Sequence, residues 1–148
     1  MKVSTKGRYG LRSMIDLAIN STEGHVALLY IAERQSISVN YLEQVFSTLR
    51  KAGLVKSVKG AQGGYMLGDS SSRITIGRIL RALEGDLSLV EESDLKTEID
   101  DSLKYCIKVN VWDKMTESLN QIVDSITLED MVNEYKKINN TTEQMYYI

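Results

Sequence analysis

The chain has 148 residues, enough for one domain with a proper core or for a small domain plus a pairing arm. With 43% hydrophobic and 26% charged residues it reads as a soluble globular protein; no run nears the ~18 apolar residues of a membrane span, and no apolar stretch follows Lys2 as in a secretory leader. One cysteine, Cys106, excludes an internal disulfide framework and fits a reducing cytoplasm, while the net charge of −2 hides a basic half (residues 1–81, 12 Lys/Arg and 5 Asp/Glu) and an acidic half (residues 82–148, 6 and 15).

Leu11, Met14, Ile15, Leu17 and Ala18 recur at helical spacing and predict a helix over roughly 5–20, stopped by Ser21-Thr22-Glu23-Gly24. A short second helix carries Leu28, Leu29, Ile31 and Ala32, a tight connection spans 35–38, and a third helix runs over about 39–51, with Gly53 as its stop. Leu54–Val58 and Tyr65–Leu67 read as two short strands joined by the loop Lys59-Gly60-Ala61-Gln62-Gly63-Gly64, a β-hairpin. Ile76, Ile79, Leu80 and Leu83 predict a fourth helix over 75–83. The acidic stretch 86–101 reads as a solvated linker. A long helix over 102–125 follows, with a stripe of Leu103, Ile107, Val111, Met115, Leu119, Ile122 and Ile126 and with Trp112 beside it. Thr127-Leu128-Glu129-Asp130 resembles a capping arrangement for a last helix to about 138, and 139–148 reads as a flexible polar tail ending in Met145, Tyr146, Tyr147 and Ile148.

The expected architecture is therefore mainly α with a small β-hairpin wing. A winged helix-turn-helix domain (1–85) and an acidic linker (86–101) precede a dimerisation helix with a final helix (102–138) and a tail (139–148). In such a unit the second helix of the pair enters the major groove with its N-terminal residues on base edges. Those residues are Ser38, Val39, Asn40, Tyr41, Glu43 and Gln44. Asn and Gln can pair bidentately with adenine, and Glu can accept from the cytosine amino group. Arg50, Lys51, Lys56 and Lys59, with Lys6, Arg8 and Arg12 on the first helix, are placed for phosphates; they supply affinity rather than sequence choice. Gly60, Gly63 and Gly64 are expected to bend the wing through positive φ and let it approach a groove closely. Each of these residues also has a plainer use: Ser38 as an N-cap, Tyr41 as half core, Glu43 as a solvated acid. The dimerisation stripe, Leu103, Ile107, Val111, Trp112, Met115, Leu119 and Ile122, is too long for one winged domain to cover, and pairing with a twin would bury it.

The series Ser4-Thr5-Lys6-Gly7-Arg8-Tyr9-Gly10, Ser38-Val39-Asn40-Tyr41-Leu42-Glu43-Gln44, Leu49-Arg50-Lys51-Ala52-Gly53-Leu54-Val55 and Gly63-Gly64-Tyr65 resembles the Rrf-type family of bacterial repressors. The likeness is dense over 2–85 and continues through Trp112 to Leu128-Glu129-Asp130. It implies a dimer on a partly palindromic operator, with Arg8, Tyr9, Ser38, Asn40, Tyr41, Glu43 and Lys59 as the DNA-contacting positions. Iron–sulfur members of the family carry three cysteines before the dimerisation helix, where this chain has only Cys106; its one histidine, His25, lies after the first helix, so no cofactor and no metal are expected. That loss points to the cysteine-metabolism branch. The terminus Tyr146, Tyr147, Ile148 with a free carboxylate resembles the isoleucine end of serine acetyltransferases, which docks in O-acetylserine sulfhydrylase (cysteine synthase); the same enzyme is then an expected partner of the tail. Three readings compete: a redox or iron–sulfur-responsive regulator, a winged-helix protein-interaction module without DNA binding, and an enzyme. For the last, there is no phosphate loop, metal-ligand spacing or nucleophile–histidine pair.

Overall fold

In the computed structural model, residues 2–91 and 101–146 are described, the side chains of 143, 144 and 146 excepted. Helix α1 spans Thr5–Asn20; Ser4 caps it by accepting from the Gly7 amide at 3.2 Å. It buries Met14, Leu17 and Ala18, and Gly10 lets Leu83 of the fourth helix come so close that a Cβ there would collide with it. Helix α2 (Leu28–Gln35) ends at Ser36, which takes a left-handed conformation (φ 55) and turns the chain into α3, Val39–Lys51. Ser38 caps α3, its Oγ accepting from the Tyr41 amide at 3.1 Å. Leu42, Val45, Phe46 and Leu49 face inward, so the polar residues between them face out. Gly53 follows at φ 77, the left-handed position that ends a helix most cheaply with glycine.

Strands β1 (Val55–Val58) and β2 (Gly64–Leu67) pair antiparallel, Val55 opposite Leu67 and Val58 opposite Gly64. Val26 adds a single antiparallel bridge to Tyr65, tying the wing to the turn before α2. The Tyr65 ring meets Phe46 edge-on at 5.0 Å. Helix α4 (Ile76–Glu84) starts one residue later than the sequence indicates because Thr75 is its cap, accepting from the Arg78 amide.

Beyond the acidic stretch, of which 92–100 lie outside the described residues, the expected single helix over 102–125 has three parts. These are α5 (Ser102–Ile107), a π-helical turn (Lys108–Trp112) and α6 (Asp113–Ser125). The cause is legible in the stripe: at about 100° per residue each four-residue step overshoots one turn by about 40°. The wider π turn takes up part of that drift, and Lys108 bridges it, its Nζ 2.9 Å from Asp113 Oδ2. Helix α7 (Leu128–Tyr146) runs well past 138, so the stretch from 139 to 146 is helical rather than the flexible tail expected. Its cap is reciprocal, as the sequence indicates: Thr127 Oγ1 accepts from the Asp130 amide and Asp130 Oδ2 from the Thr127 amide. Thr141 and Thr142 bond back to the Lys137 and Ile138 carbonyls, so these polar side chains are accommodated within the helix.

The C-terminal helices share the core of the winged unit. Val123 and Leu128 are buried in the same cluster as Met14, Phe46, Ile74 and Ile79. Ile76 donates to the Ile126 carbonyl and Leu128 to the Ile74 carbonyl, so the backbone before α7 pairs with the entry to α4. Arg81 of α4 grips Asp124 of α6 through two hydrogen bonds of 2.7 and 2.9 Å and adds Asn120 at 2.6 Å.

Candidate nucleic-acid interface

The amphipathic pattern of α3 decides what faces solvent. With Leu42, Val45, Phe46 and Leu49 committed to the core, Asn40, Glu43 and Gln44 stand exposed on the outer side. They line a shallow groove along the helix together with Ser47, Thr48 and Lys51. Asn and Gln amides, a carboxylate, two hydroxyls and an ammonium on one helix face are a donor and acceptor set suited to base edges and phosphates. Ser47 and Thr48 were not picked out from sequence: small hydroxyls between apolar positions carry no motif of their own. Ser38, exposed, uses its oxygen as a cap acceptor, which leaves its hydroxyl proton for another partner.

Tyr41 is half-buried and packs edge-on against Tyr9 of α1, ring centroids 6.0 Å apart. Arg8 and Arg12 lie by the Tyr9 ring, at 6.0 and 5.4 Å from its centroid, a cation–π arrangement. Arg8 also donates to Thr5 Oγ1 at 3.1 Å, and Arg12 Nη2 to the Gln35 carbonyl at 2.8 Å. Tyr9 and Arg8 are thus brought beside the start of α3, while Arg12, read from sequence as a phosphate contact, is held by the end of α2. Lys6 is half-buried; Arg50, Lys56 and Lys59 are exposed, on α3, β1 and the wing loop.

The wing glycines divide differently from the sequence expectation. Gly60 has positive φ (122), but Gly63 and Gly64 do not. They are required instead by close approach: a Cβ on Gly63 would strike the Val58 carbonyl, and one on Gly64 the Val26 carbonyl. The wing tip is pinned by His25, whose Nε2 contacts the Gln62 carbonyl.

Between α1 and α2 lies an ion pair the sequence reading passed over. Asp16 of α1 is only 4% exposed and receives Arg34 of α2 bidentately, with Nη2 at 2.7 Å and Nε at 3.0 Å, plus Gln35 Nε2 at 2.8 Å. The hydrogen bond from Arg34 to Asp16 holds the guanidinium above its ordinary pKa. A carboxylate on the otherwise apolar face of α1 was the available signal, since a buried acid requires a partner.

Of the stripe expected to pair, Leu103 (70%), Met115 (48%) and Ile122 (58%) stand open in the protomer, and Ile107 and Val111 are exposed as well. Trp112 and Leu119 are half-buried. Tyr105 and Val109 add to the exposed apolar surface. Tyr146 is described only as the last residue of α7, and Tyr147 and Ile148 lie outside the described residues.

A three-helix unit with a β-hairpin wing and a polar-faced second helix defines a winged helix-turn-helix, DNA-binding transcription regulator. The chain belongs to the Rrf2 family, described as "Iron-dependent Transcriptional regulator", which it matches over residues 3–134. It is 45% identical over 135 residues to the HTH-type transcriptional regulator CymR of Bacillus subtilis, covering 88% of this chain and 89% of that protein. It is 37% identical to the regulator IscR of Pectobacterium atrosepticum over 94% of this chain and 84% of the other. Among solved structures, the B. subtilis global cysteine regulator CymR superposes with a TM-score of 0.77 at 44% identity, covering 90% of this chain and 98% of that one. IscR of T. potens gives 0.75 at 46% identity, covering 93% and 90%.

The iron in the family description finds a poor donor set here. The whole sequence holds one cysteine and one histidine. Cys106 is an exposed thiol on α5, with the Asn110 amide 3.6 Å from its sulfur, whereas His25 sits in the loop after α1 against the wing. Among the described residues no three His, Cys, Asp or Glu side chains converge as metal ligands. An iron–sulfur cluster needs several thiolate or imidazole ligands, and these two residues on separate elements do not meet that requirement.

Proposed function

We propose that the chain is a repressor that binds a partly palindromic operator as a homodimer and controls genes of cysteine or sulfur metabolism. The observation that carries it is the outer face of α3, where Asn40, Glu43 and Gln44 stand exposed beside a capped N-terminus while the opposite face anchors the core. Arg8 and Tyr9 on α1 and the exposed Lys56 and Lys59 on the hairpin are the proposed backbone contacts. The metabolic assignment rests on likeness to the B. subtilis global cysteine regulator and on the missing cluster cysteines. Selection of bound fragments from genomic DNA tests it directly: one shared, dyad-symmetric motif upstream of sulfur-metabolism genes is expected, and sequence-indifferent recovery overturns it.

The homodimer is supported by the apolar side chains left open on α5 and α6. Burying them gains about 25 cal/mol per Å2 of apolar surface, and a two-fold partner presents the same stripe in return. Sedimentation equilibrium without DNA is expected to give a dimer at micromolar concentration; a monomer there refutes the pairing.

For the segment Tyr146, Tyr147 and Ile148 the proposed partner is O-acetylserine sulfhydrylase, whose cleft would take the aromatic and aliphatic side chains. Removal of the last four residues is expected to abolish binding to that enzyme in calorimetry; unchanged affinity rejects the partnership.

A further inference from the structure

Residues of α1, α2 and α7 line a cleft of about 610 Å3. That volume is within the range of small-molecule sites, about 300–1,000 Å3. Arg12, Arg34 and Gln35 form one polar wall and Asn139 of α7 also lines the cleft; Ile15 and Ile19 of α1 with the Tyr135 ring make the apolar side. The lining holds two guanidinium groups and one carboxylate, Asp16, which is bound by Arg34 alone of the two; Glu33, outside the lining, also acts on Arg34. Asp16 is already saturated by Arg34, Gln35 and the Asn20 amide, at 3.2 Å for the last. The donors of Arg34 and Arg12 are not: Arg34 binds Asp16 through Nε and Nη2, and Arg12 binds Gln35 through Nη2. That leaves Nη1 of Arg34, and Nε and Nη1 of Arg12, without a hydrogen-bond partner among the described residues.

We propose that this cleft is an effector site for a small organic monoanion, its carboxylate held by Arg12 and Arg34 and its apolar body on Ile15, Ile19 and Tyr135. Arg12 makes the site consequential. The same guanidinium that lines the cleft holds the last carbonyl of α2 and lies 5.4 Å from the centre of the Tyr9 ring. Tyr9 in turn packs on Tyr41 in the first turn of α3. An anion that draws Arg12 toward the cleft loosens the α2–α3 turn and the tyrosine pair together. Occupancy is therefore coupled to base reading, and this coupling, though not the binding itself, rests on the proposed DNA contacts.

The test uses the full chain and sodium benzoate, with benzamide as the neutral isostere and sodium chloride matching ionic strength. Without DNA, benzoate is expected to cause saturable amide shifts at Ile19, Asn20, Gln35 and Asn139, with a dissociation constant of about 1 mM or tighter; benzamide is expected to cause none. Asn139→Trp, which fills the cleft from α7, should remove the response while leaving ligand-free DNA affinity unchanged. Tyr135→Ala should weaken benzoate at least about fivefold and serves if the first variant does not fold. Saturating benzoate should lower affinity for a selected DNA fragment at least about fivefold, and DNA should lower benzoate affinity by the same factor. No saturable shift up to about 10 mM, an equal response to benzamide, or a response that survives Asn139→Trp overturns the site. Binding without any change in DNA affinity overturns the coupling. Because binding is read on the protein alone, its failure leaves the DNA reading standing, and failure to bind DNA leaves the site standing.

Discussion

Glu43 and Lys59 would divide the labour of the proposed DNA surface between base choice and affinity. Glu43 is an exposed acid on the outer face of α3, where charge alone opposes DNA; in the proposed function it accepts from a cytosine amino group. Glu43→Ala should relax preference at one operator position with little loss of overall affinity, as measured by competition binding across single-base variants. Lys59→Ala should weaken all sequences alike and reduce the salt slope by about one. Unchanged base preference removes Glu43 from readout. Gly64 makes a different kind of demand: a Cβ there would strike the Val26 carbonyl, which belongs to the bridge with Tyr65. Gly64→Ala should cost about 1–3 kcal/mol in urea denaturation, the range of overpacking; a neutral result shows that the bridge yields. Sequence reading found these positions by motif and residue type. It assigned Gly63 and Gly64 to positive φ because glycine signals both a left-handed turn and a close approach, and only the coordinates of the neighbouring carbonyl separate the two.

Ser38 and Thr127 announce themselves as caps in the sequence, whereas Ser4 and Thr75 emerge as caps only in the structure, and α4 accordingly begins one residue later than expected. The Leu103–Ile126 stripe announced a helix but not its π turn, because steps of four fit an α-helix over any single turn and fail only over several. The end of α7 was missed for the opposite reason. Asn139-Asn140-Thr141-Thr142 have poor intrinsic helix preference, yet the helix continues through them, with both threonine hydroxyls satisfied by carbonyls four residues back. Deleting Asn110 should convert the π turn to α-helix and rotate Leu103 and Ile107 by about 100° relative to Met115 and Ile122. Sedimentation equilibrium should then show weakened self-association, and undiminished dimerisation would mean the turn does not set the stripe. Arg81 and Asp124 join α4 to α6, and the hydrogen bond from Arg81 holds the Asp124 carboxyl below its ordinary pKa. A depressed acid stabilises the fold above its unfolded pKa of about 3.9 and loses that contribution as pH falls through the lower folded value. Unfolding midpoints should therefore drop more steeply below about pH 4 in the wild type than in Arg81→Met. Parallel curves would show that the pair adds nothing, as many exposed ion pairs do.

At the scale of the molecule, the division by charge and the division by packing do not coincide. The basic half and the acidic half meet inside one core: Leu128 is fully buried and Val123 nearly so, and the chain before α7 pairs by backbone bonds with Ile74 and Ile76. Charge in sequence reports which surface meets a polyanion; it carries no information about which residues complete the hydrophobic cluster. An arm that shares the core can transmit strain to the DNA-reading helices, whereas a tethered arm could only raise local concentration. The shared core makes a stability prediction. Leu128→Ala should cost about 2–5 kcal/mol, lower the stability of the winged unit and the C-terminal helices together, and keep a single unfolding transition by circular dichroism and by Trp112 fluorescence. A fragment ending at Gly85 loses Val123, Leu128 and the two backbone bonds to Ile74 and Ile76, and should unfold at lower urea with a broadened transition. If that fragment unfolds as cooperatively and at the same midpoint as the whole chain, the winged unit is autonomous and the C-terminal helices act on it from outside.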